Sequence, residues 1–437
     1  MGKLCPGICE NLSETHRCSM KTRTVILAGG AGARMGVLTA KRTKPAVPFA
    51  GRYRLFDFPL SNCVNSDLFD VVIVAQYRPH SLIDHIRAGA PWDLDRDFTG
   101  GVNIYTPYTA RYTGWYSGTA DAIQQNFGFI KSNKPDLILI LSGDHIYAMN
   151  YEKMIEYHTS KQADVTIATV EVPVEEAHRF GIVGTDELGQ VTSFVEKPAN
   201  PLSNQVNMGV YLFNCRVLDL ALWEDNKNQD SSHDFGKDIL PALVNTGAHI
   251  FAYPNKSYWV DVGTVNSYWQ AHMDVLDPNP PFTLHDPSWV IHTRTEERPP
   301  IAIRPGAYFE NSFLCEGCVI EGSTRIVRSV LSPGVHVKAG AQIYESIILT
   351  DTVIHENAVV RRSILDKRVN IGEGSQVGEV LPDRLELAMI GKNSVIPPKT
   401  VIEAGGVIWV DVIPSDLPGS VIKASDHIQT QRSPYEI

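Results

Sequence analysis

At 437 residues the chain is too long for one ordinary core and long enough for two, and a content of 43% hydrophobic and 20% charged residues is that of a soluble globular protein. A net charge of −10 excludes a general nucleic-acid binder, which needs a broad basic surface to displace counterions from phosphates. No apolar run approaches the roughly 20 residues of a membrane span, the N-terminus lacks the apolar stretch of a signal peptide, and seven irregularly spaced cysteines outline no disulfide framework. The expectation is a cytoplasmic protein with reduced thiols that meets neither membrane nor nucleic acid.

Residues 1–20 form a polar start without apolar period, expected to be an extension outside the fold; Cys5, Cys9 and Cys18 there make only three ligands of undefined geometry. From Thr24 to about Tyr268, short β-branched runs alternate with helical stretches, which predicts a mostly parallel, doubly wound sheet covered by helices. Strands are predicted over 24–28, 71–75, 137–141 and 164–170. Helices are predicted over 81–87 and 119–131, the second placing Ala120, Ile123 and Phe127 on one face. The stretch 183–195, turning at 187–189, reads as a hairpin. Ligands of such sheets gather beyond the carboxyl ends of the strands, so the loops 29–36, 76–79 and 143–145 are where chemistry is expected.

Between Asp277 and Pro305 seven prolines and few periodic apolar positions predict an extended linker, between a domain over 21–276 and another over 306–437. In the latter, aliphatic residues recur every six positions: Ile320 and Ile326; Leu331, Val337, Ile343 and Leu349; Ile354 and Val360; Leu365, Ile371 and Val377; Ile390, Ile396 and Ile402. A helix repeats near 3.6 and a flat strand at two, so a period of six predicts the triangular coils of a parallel β-helix, with one-residue slips between the sets; a run of ordinary hairpins is the alternative. Cys315 and Cys318 form a lone CxxC, read as an accidental match.

The predicted first strand runs into Gly29-Gly30-Ala31-Gly32-Ala33-Arg34, which matches neither the dinucleotide fingerprint nor a P-loop. Glycines there bring backbone amides close to phosphate oxygens, and the arginine adds a planar cation. From Lys21 to Phe56 the basic residues Lys21, Arg23, Arg34, Lys41, Arg42, Lys44, Arg52 and Arg54 meet no acidic one. So one-sided a stretch predicts a bound polyphosphate or sugar phosphate; the alternative is a solvated basic face.

The segments LAGGAGARM, LTAKRTKPAVPFAGRYRLFDFPLSNCVNS, AQYRPHSLIDHI, GWYSGTADAI, LSGDHIY, FVEKP, NMGVYLF, SSHDFGKDILP and WVDVGT, in this order over residues 24–270, resemble the ADP-glucose pyrophosphorylases among the sugar-1-phosphate nucleotidylyltransferases. The resemblance implies a Rossmann-like nucleotidyltransferase domain of α/β class with a mostly parallel mixed sheet, followed by a left-handed hexapeptide β-helix. It implies Mg2+-dependent synthesis of ADP-glucose, the glucosyl donor of glycogen or starch, from ATP and glucose 1-phosphate. By the same resemblance Arg34, Lys44 and Asp144 are catalytic, and Asp144 and Asp261 hold the metal. Gly29, Gly30, Gly32, Gln76, Trp115, Gly118 and Thr119 face the nucleotide, and Tyr116, Gly181, Glu196, Lys197, Asn207 and Asp238 face glucose 1-phosphate. From spacing alone Trp115 reads as core. His233 and Asp234 are not read as a catalytic dyad, since chain neighbours do not naturally face each other and the reaction needs no base; they are expected to shape the sugar pocket.

The family's tetramers and its control by anionic glycolytic metabolites imply a homotetramer or a hetero-oligomer with a paralogue. Lys41, Arg42 and Arg54, with Arg361 and Arg362, are the candidate effector residues. The chain departs from the family's pattern at Ala31 and Ala33, where many members carry Arg and Thr. This keeps open a regulatory subunit of low activity, beside an enzyme that prefers UTP, dTTP or GTP. An acyltransferase, the other chemistry of hexad β-helices, finds no good candidate for its base histidine among the coils.

Overall fold

The computed structural model describes residues 20–30, 32–96, 98–107, 115–379, 381 and 383–433. The extension up to residue 19, with Cys5, Cys9 and Cys18, and the departure at Ala31 lie outside the described residues.

The first domain holds strands β1 (Thr22–Ala28), β2 (Pro48–Phe49), β3 (Tyr53–Arg54), β4 (Asp70–Ala75), β5 (Gly101–Tyr105), β6 (Leu137–Ser142), β7 (His145–Tyr147), β8 (Val165–Glu171), β9 (Gly181–Thr185), β10 (Val191–Glu196), β11 (Gln205–Asn214), β12 (Ile250–Pro254) and β13 (Trp259–Asp261). Its helices are α1 (Asp57–Asn65), α2 (His80–Ile86), α3 (Thr119–Ile130), α4 (Tyr151–Ser160), α5 (Val174–Ala177), α6 (Cys215–Lys227), α7 (Leu240–Asn245) and α8 (Val265–Val275). β1 lies between β4 and β6, parallel to both, with β5 parallel beyond β4. β11 runs antiparallel to β6 and β8, and the β9–β10 hairpin joins through β9, so the sheet is mixed as expected.

The central strands are apolar at every position because both faces are covered. Val25, Val72, Val74, Ile138 and Ile140 pack on one side under α3 and α6. Ile26, Ile73, Leu139 and Leu141 pack on the other with Leu60 of α1 and Met154 of α4. In α3 the buried positions Ala120, Ile123, Phe127 and Ile130 form a single stripe, which turns the start of this helix toward the ends of β1 and β4.

The second domain is a three-sided prism of parallel strands, the arrangement of a left-handed hexapeptide β-helix. On one side Ile320, Val337, Ile354, Ile371 and Ile396 stack in register. On the next, Ile326, Ile343, Val360, Val377 and Ile402 do the same. The third carries Leu331, Ile348, Leu365 and Ile390. The inward residue of the third side is therefore Ile348 and not Leu349, because one corner of each coil is a residue short. At that corner buried Ser329, Ser346 and Ser363 form a ladder: the Ser329 hydroxyl accepts the Ser346 amide (3.1 Å) and the Ser346 hydroxyl the Ser363 amide (3.2 Å), satisfying backbone that a tighter turn faces inward.

The outward residues of the third side are apolar too. Val330, Ile347, Ile364 and Met389 are buried in one cluster with Leu38, Phe49, Phe58, Tyr268 and Trp269 of the first domain. Trp269 Nε1 donates to the Glu345 carbonyl at 2.7 Å, and Arg42 meets Asp366 at 2.9 Å with both side chains buried. The proline-rich stretch is strapped down: Trp289 Nε1 donates to Asn62 Oδ1 (2.9 Å), the His292 amide to Ser61 Oγ (2.8 Å), and Arg298 pairs with Asp351 (2.8 Å). Cys315 and Cys318 are buried free thiols whose pKa values burial pushes up to about 12 and about 11, and no group of three metal-ligating side chains exists among the described residues. No helix among the described residues is long and apolar enough to cross a membrane.

Removing one partner of the buried Arg42–Asp366 pair strands a charge between the domains. Asp366→Ala is expected to lower unfolding stability by about 3 kcal/mol in urea titration, and Arg42→Met with Asp366→Leu to recover most of it. Equal stability of the single variant and the parent would show that water reaches this pair.

Candidate active site

β1, β4 and β6 all point their carboxyl ends at a cavity of about 460 Å³. Its lining includes Gly29 and Gly30 after β1, Gln76 and Tyr77 after β4, Tyr116, Ser117, Gly118 and Thr119 at the start of α3, and Ser142 and Asp144 at the β6–β7 turn. Gln76 Nε2 donates to the Tyr116 carbonyl at 3.3 Å, tying the second of these segments to the third. Gly32, with φ of 65°, starts the turn that carries Arg34 and lies against Thr39 and Lys44, off the cavity wall.

At one side of the cavity Lys44 extends a buried side chain between two carboxylates, 2.6 Å from Asp144 and 3.1 Å from Asp261. The pairing of β13 with β7, which puts Asp261 opposite His145, sets this spacing. Burial by itself lowers the Lys44 pKa, but the two aspartates outweigh it and hold it above its ordinary value. Burial likewise raises Asp144, yet Lys44, His145 and the hydrogen bonds from Lys44 and Ser142 hold its carboxyl well below the usual range. His145 Nε2 stands 3.5 Å from Asp144 and 3.7 Å from Asp261, with Nδ1 at 3.0 Å from the Met208 carbonyl. Arg34 reaches the same corner: its guanidinium and the Asp261 carboxylate flank Gly263. Two carboxylates that converge on one cation, with no third acidic side chain completing a metal-binding group among the described residues, fit a hard divalent ion that takes its other oxygens from phosphates and water.

Across the cavity stand Glu196, Asn207, Gly209, Tyr211 and the segment Asp234–Gly236. A methyl group on Gly181 would come 2.7 Å from the Glu196 carboxylate, so only glycine lets that carboxylate lie flat on β9. Glu196 pairs at 2.5 Å with Lys197, whose side chain is 59% exposed. Asn207 donates to the Tyr211 hydroxyl (2.7 Å) and accepts the Gly209 amide (2.8 Å). Asp234 accepts the Thr119 hydroxyl (3.0 Å) and the Gly236 amide (2.9 Å).

The structure thus brings Gly29, Gly30, Gln76, Tyr116, Gly118, Thr119, Asp144, Glu196 and Asn207 to one cavity, with Lys44, Asp261 and Arg34 at its edge. Asp238 does not join them: its carboxylate is spent on the Ser232 hydroxyl (2.6 Å) and the Asp234 amide (3.0 Å), and Asp234 takes the place in the wall. Asp234, expected to shape the sugar pocket, does line the cavity, whereas Phe235, Tyr211, Tyr77 and His145 carry no role of their own in the sequence, although each lies within a segment singled out there. Trp115 is no core residue; it is 60% exposed and stacks on Tyr77 at 4.9 Å at the rim. His233 faces Asp225 (2.6 Å) rather than Asp234.

Of the residues expected at an effector pocket, Lys41 pairs with Asp411, Arg42 with Asp366, and Arg54 lines a small cavity with Arg52, Arg294 and Lys367. Arg361 and Arg362 lie at another corner of the coil, the first over the Tyr344 ring and the second bound to Glu345 (2.6 Å) and the Leu381 carbonyl. Most of the basic first segment is neutralised by the protein's own acids, since Arg23 meets Asp70 and Arg52 meets Glu316; among the described residues Arg34 makes no ion pair.

The family model described as nucleotidyl transferase matches residues 23–278, and that described as GlmU-like, C-terminal hexapeptide matches residues 304–386. The chain is 50% identical to the glucose-1-phosphate adenylyltransferase of Thermotoga maritima over 419 residues, 93% of this chain and 98% of the relative. It is 50% identical to that of Halalkalibacterium halodurans over 311 residues, 71% and 80% of the two chains, and 48% identical to that of Clostridium novyi over 310 residues, 71% and 80%.

A Cβ on Gly118 would run into the carbonyl oxygens of Ser232 and His233. Gly118→Ala is therefore expected to push the two cavity walls apart and cost about 1–3 kcal/mol, read as a lowered melting temperature. A variant as stable as the parent would mean that the walls move freely.

Proposed function

The chain belongs to the nucleotidyl transferase family, in its glucose-1-phosphate adenylyltransferase branch, and we propose that it joins glucose 1-phosphate to the AMP part of ATP, giving ADP-glucose and pyrophosphate. The observation that carries this reading is Lys44 held between Asp144 and Asp261 beside a glycine-walled cavity. A cation and two carboxylates at that place suit the transfer of a nucleotidyl group, which is driven by positioning and by compensation of oxygen charge.

A phosphate oxygen of glucose 1-phosphate attacks the α-phosphorus of ATP. The new phosphorus–oxygen bond forms as the bond to the bridging oxygen breaks, and pyrophosphate leaves with that electron pair. No covalent enzyme intermediate arises, and no general base is needed, because a phosphate monoester with a second pKa of about 6 is already an anion at neutral pH. In this reading the backbone at Gly29 and Gly30 holds the phosphates, Gly32 supplies the turn that brings Arg34 to them, and Arg34 and Lys44 compensate charge on the triphosphate. Gln76, Trp115, Gly118 and Thr119 receive the nucleoside, whereas Glu196 and Asn207 accept and donate to sugar hydroxyls and Lys197 turns to the sugar phosphate. Bound Mg2+, held by Asp144 and Asp261, supplies Lewis-acid compensation of phosphate charge.

We further propose that the cleft lined by Arg52, Arg54, Arg294 and Lys367, with Lys41 and the buried Arg42 on the segment behind it, receives an anionic metabolite, and that the protein works in the cytoplasm as a tetramer, alone or with a paralogue. Burial, then the charges of Arg54 and Arg42, push the Lys367 pKa down to about 7 from 10.5. Below that value the folded chain carries the full cost of a buried ammonium. Between it and 10.5 the unfolded chain binds the extra proton, so stability rises with pH over that window. The melting temperature is expected to climb from pH 7 to pH 9 more steeply in the parent than in Lys367→Met, and added inorganic phosphate to flatten the parent's climb; identical slopes would exclude a cationic cleft of this kind.

The decisive assay mixes protein, Mg2+ and glucose 1-phosphate with each nucleoside triphosphate in turn and follows pyrophosphate release. ATP is expected to be the preferred donor, and Asp144→Asn or Lys44→Ala to lower kcat by on the order of 10²- to 10³-fold. Release with UTP alone would overturn the adenylyl assignment, and activity appearing only on adding a paralogous chain would make this a regulatory subunit.

A further inference from the structure

His233 does not line the cavity, yet the two walls of the cavity meet at it. We infer that His233 is a positioning residue that fixes the spacing of the nucleotide-side wall (Gly118–Thr119) from the sugar-side wall (Asp234–Gly236) through its tie to Asp225. The inference rests on the proposed adenylyltransferase reading for its substrates.

The backbone of His233 is left-handed, with φ of 54°, a conformation unfavourable for a residue other than glycine unless something holds it. What holds it is a small half-buried network. His233 Nδ1 stands 2.6 Å from Asp225 Oδ2; Asp225 Oδ1 accepts the Ser231 hydroxyl at 2.6 Å; and Ser231 Oγ accepts the His233 amide at 2.9 Å. Asp225 sits in the last turn of α6 with its side chain 8% exposed, so the anchor is sheltered and carried by a helix that packs on the sheet.

From this anchored turn the main chain reaches both walls. The His233 carbonyl accepts the amides of Ala120 (2.8 Å) and Asp121 (3.3 Å), which lie in the first turn of α3 and have no partner within that helix. It also lies where Gly118 leaves no room for a side chain. The next residue, Asp234, bonds to the Thr119 hydroxyl, and the Phe235 amide donates back to Thr119 at 3.1 Å. Displacing His233 therefore displaces Thr119 and Asp234 together. Holding groups on two walls within a fraction of an ångström is what lets two substrates meet in line.

The test compares His233→Gly, which accepts the left-handed turn but cuts the tie, Asp225→Asn, which removes the charge of the tie, and His233→Asn, which tolerates the turn and donates to Asp225 in place of the ring. Two readouts are taken on each: KM and kcat with ATP and glucose 1-phosphate, and hydrogen exchange at the Ala120 and Asp121 amides. His233→Gly and Asp225→Asn are expected to raise KM for glucose 1-phosphate by roughly tenfold with kcat changed much less, and to speed exchange at both amides. His233→Asn is expected to restore most of both. A folded His233→Gly with parental KM, or one that only melts lower while both amides keep their protection, overturns the inference. An inactive parent would count against the proposed reaction, whereas the exchange measurement still decides whether His233 joins the walls.

Discussion

Two carboxylates cannot rest beside each other in a partly buried corner unless a cation lies between them. Here the cation is Lys44, and the three charges come from segments that are remote in sequence: the stretch after β1, the β6–β7 turn, and β13. Their meeting depends on the short β7–β13 pairing, which lies off the main sheet and carries Asp261 back to the cavity. Loss of that pairing would leave the glycine-walled cavity with Lys44 and Asp144 but without the second carboxylate.

The β-helix bears on the same corner. Its third side is apolar on both faces, inward to its own stack and outward to Phe49, Tyr268 and Trp269, so the prism and the first domain share one buried apolar cluster between them. Two ion pairs, Arg42 with Asp366 and Lys41 with Asp411, fasten the prism to residues immediately before Lys44. A buried pair of this kind contributes little net stability but fixes geometry, because leaving either partner alone is costly. The cleft lined by Arg54 and Lys367 adjoins the same Arg42–Asp366 junction.

The far wall follows another rule. Its polar groups are paired with one another: Asn207 with Tyr211, Asp234 with Thr119, Glu196 with Lys197. Each pair presents remaining donors and acceptors to the cavity while its own desolvation is offset, as buried polar groups require. Such a wall suits a neutral polyhydroxylated partner, whereas the corner opposite gathers the charges of Lys44, Arg34, Asp144 and Asp261, so the cavity has two chemically distinct ends.

The sequence by itself determined everything that repeats or clusters within a few residues. Uninterrupted β-branched runs announced strands covered on both faces, the period of six announced the prism, and the glycine loop and the aspartates after β6 and within β13 announced where chemistry gathers. It misjudged what depends on a turn: Leu349 for Ile348, because a serine-lined corner shortens each coil; and of the two acids expected near the sugar pocket only the folded turn shows that Asp234 lines the cavity while Asp238 bonds to the turn itself. The basic first segment pointed to bound anions, whereas most of its charges are met by the protein's own acids, one of them 324 residues away. Only the tertiary structure decided those pairings, because electrostatic attraction depends on separation in space and carries no memory of separation along the chain.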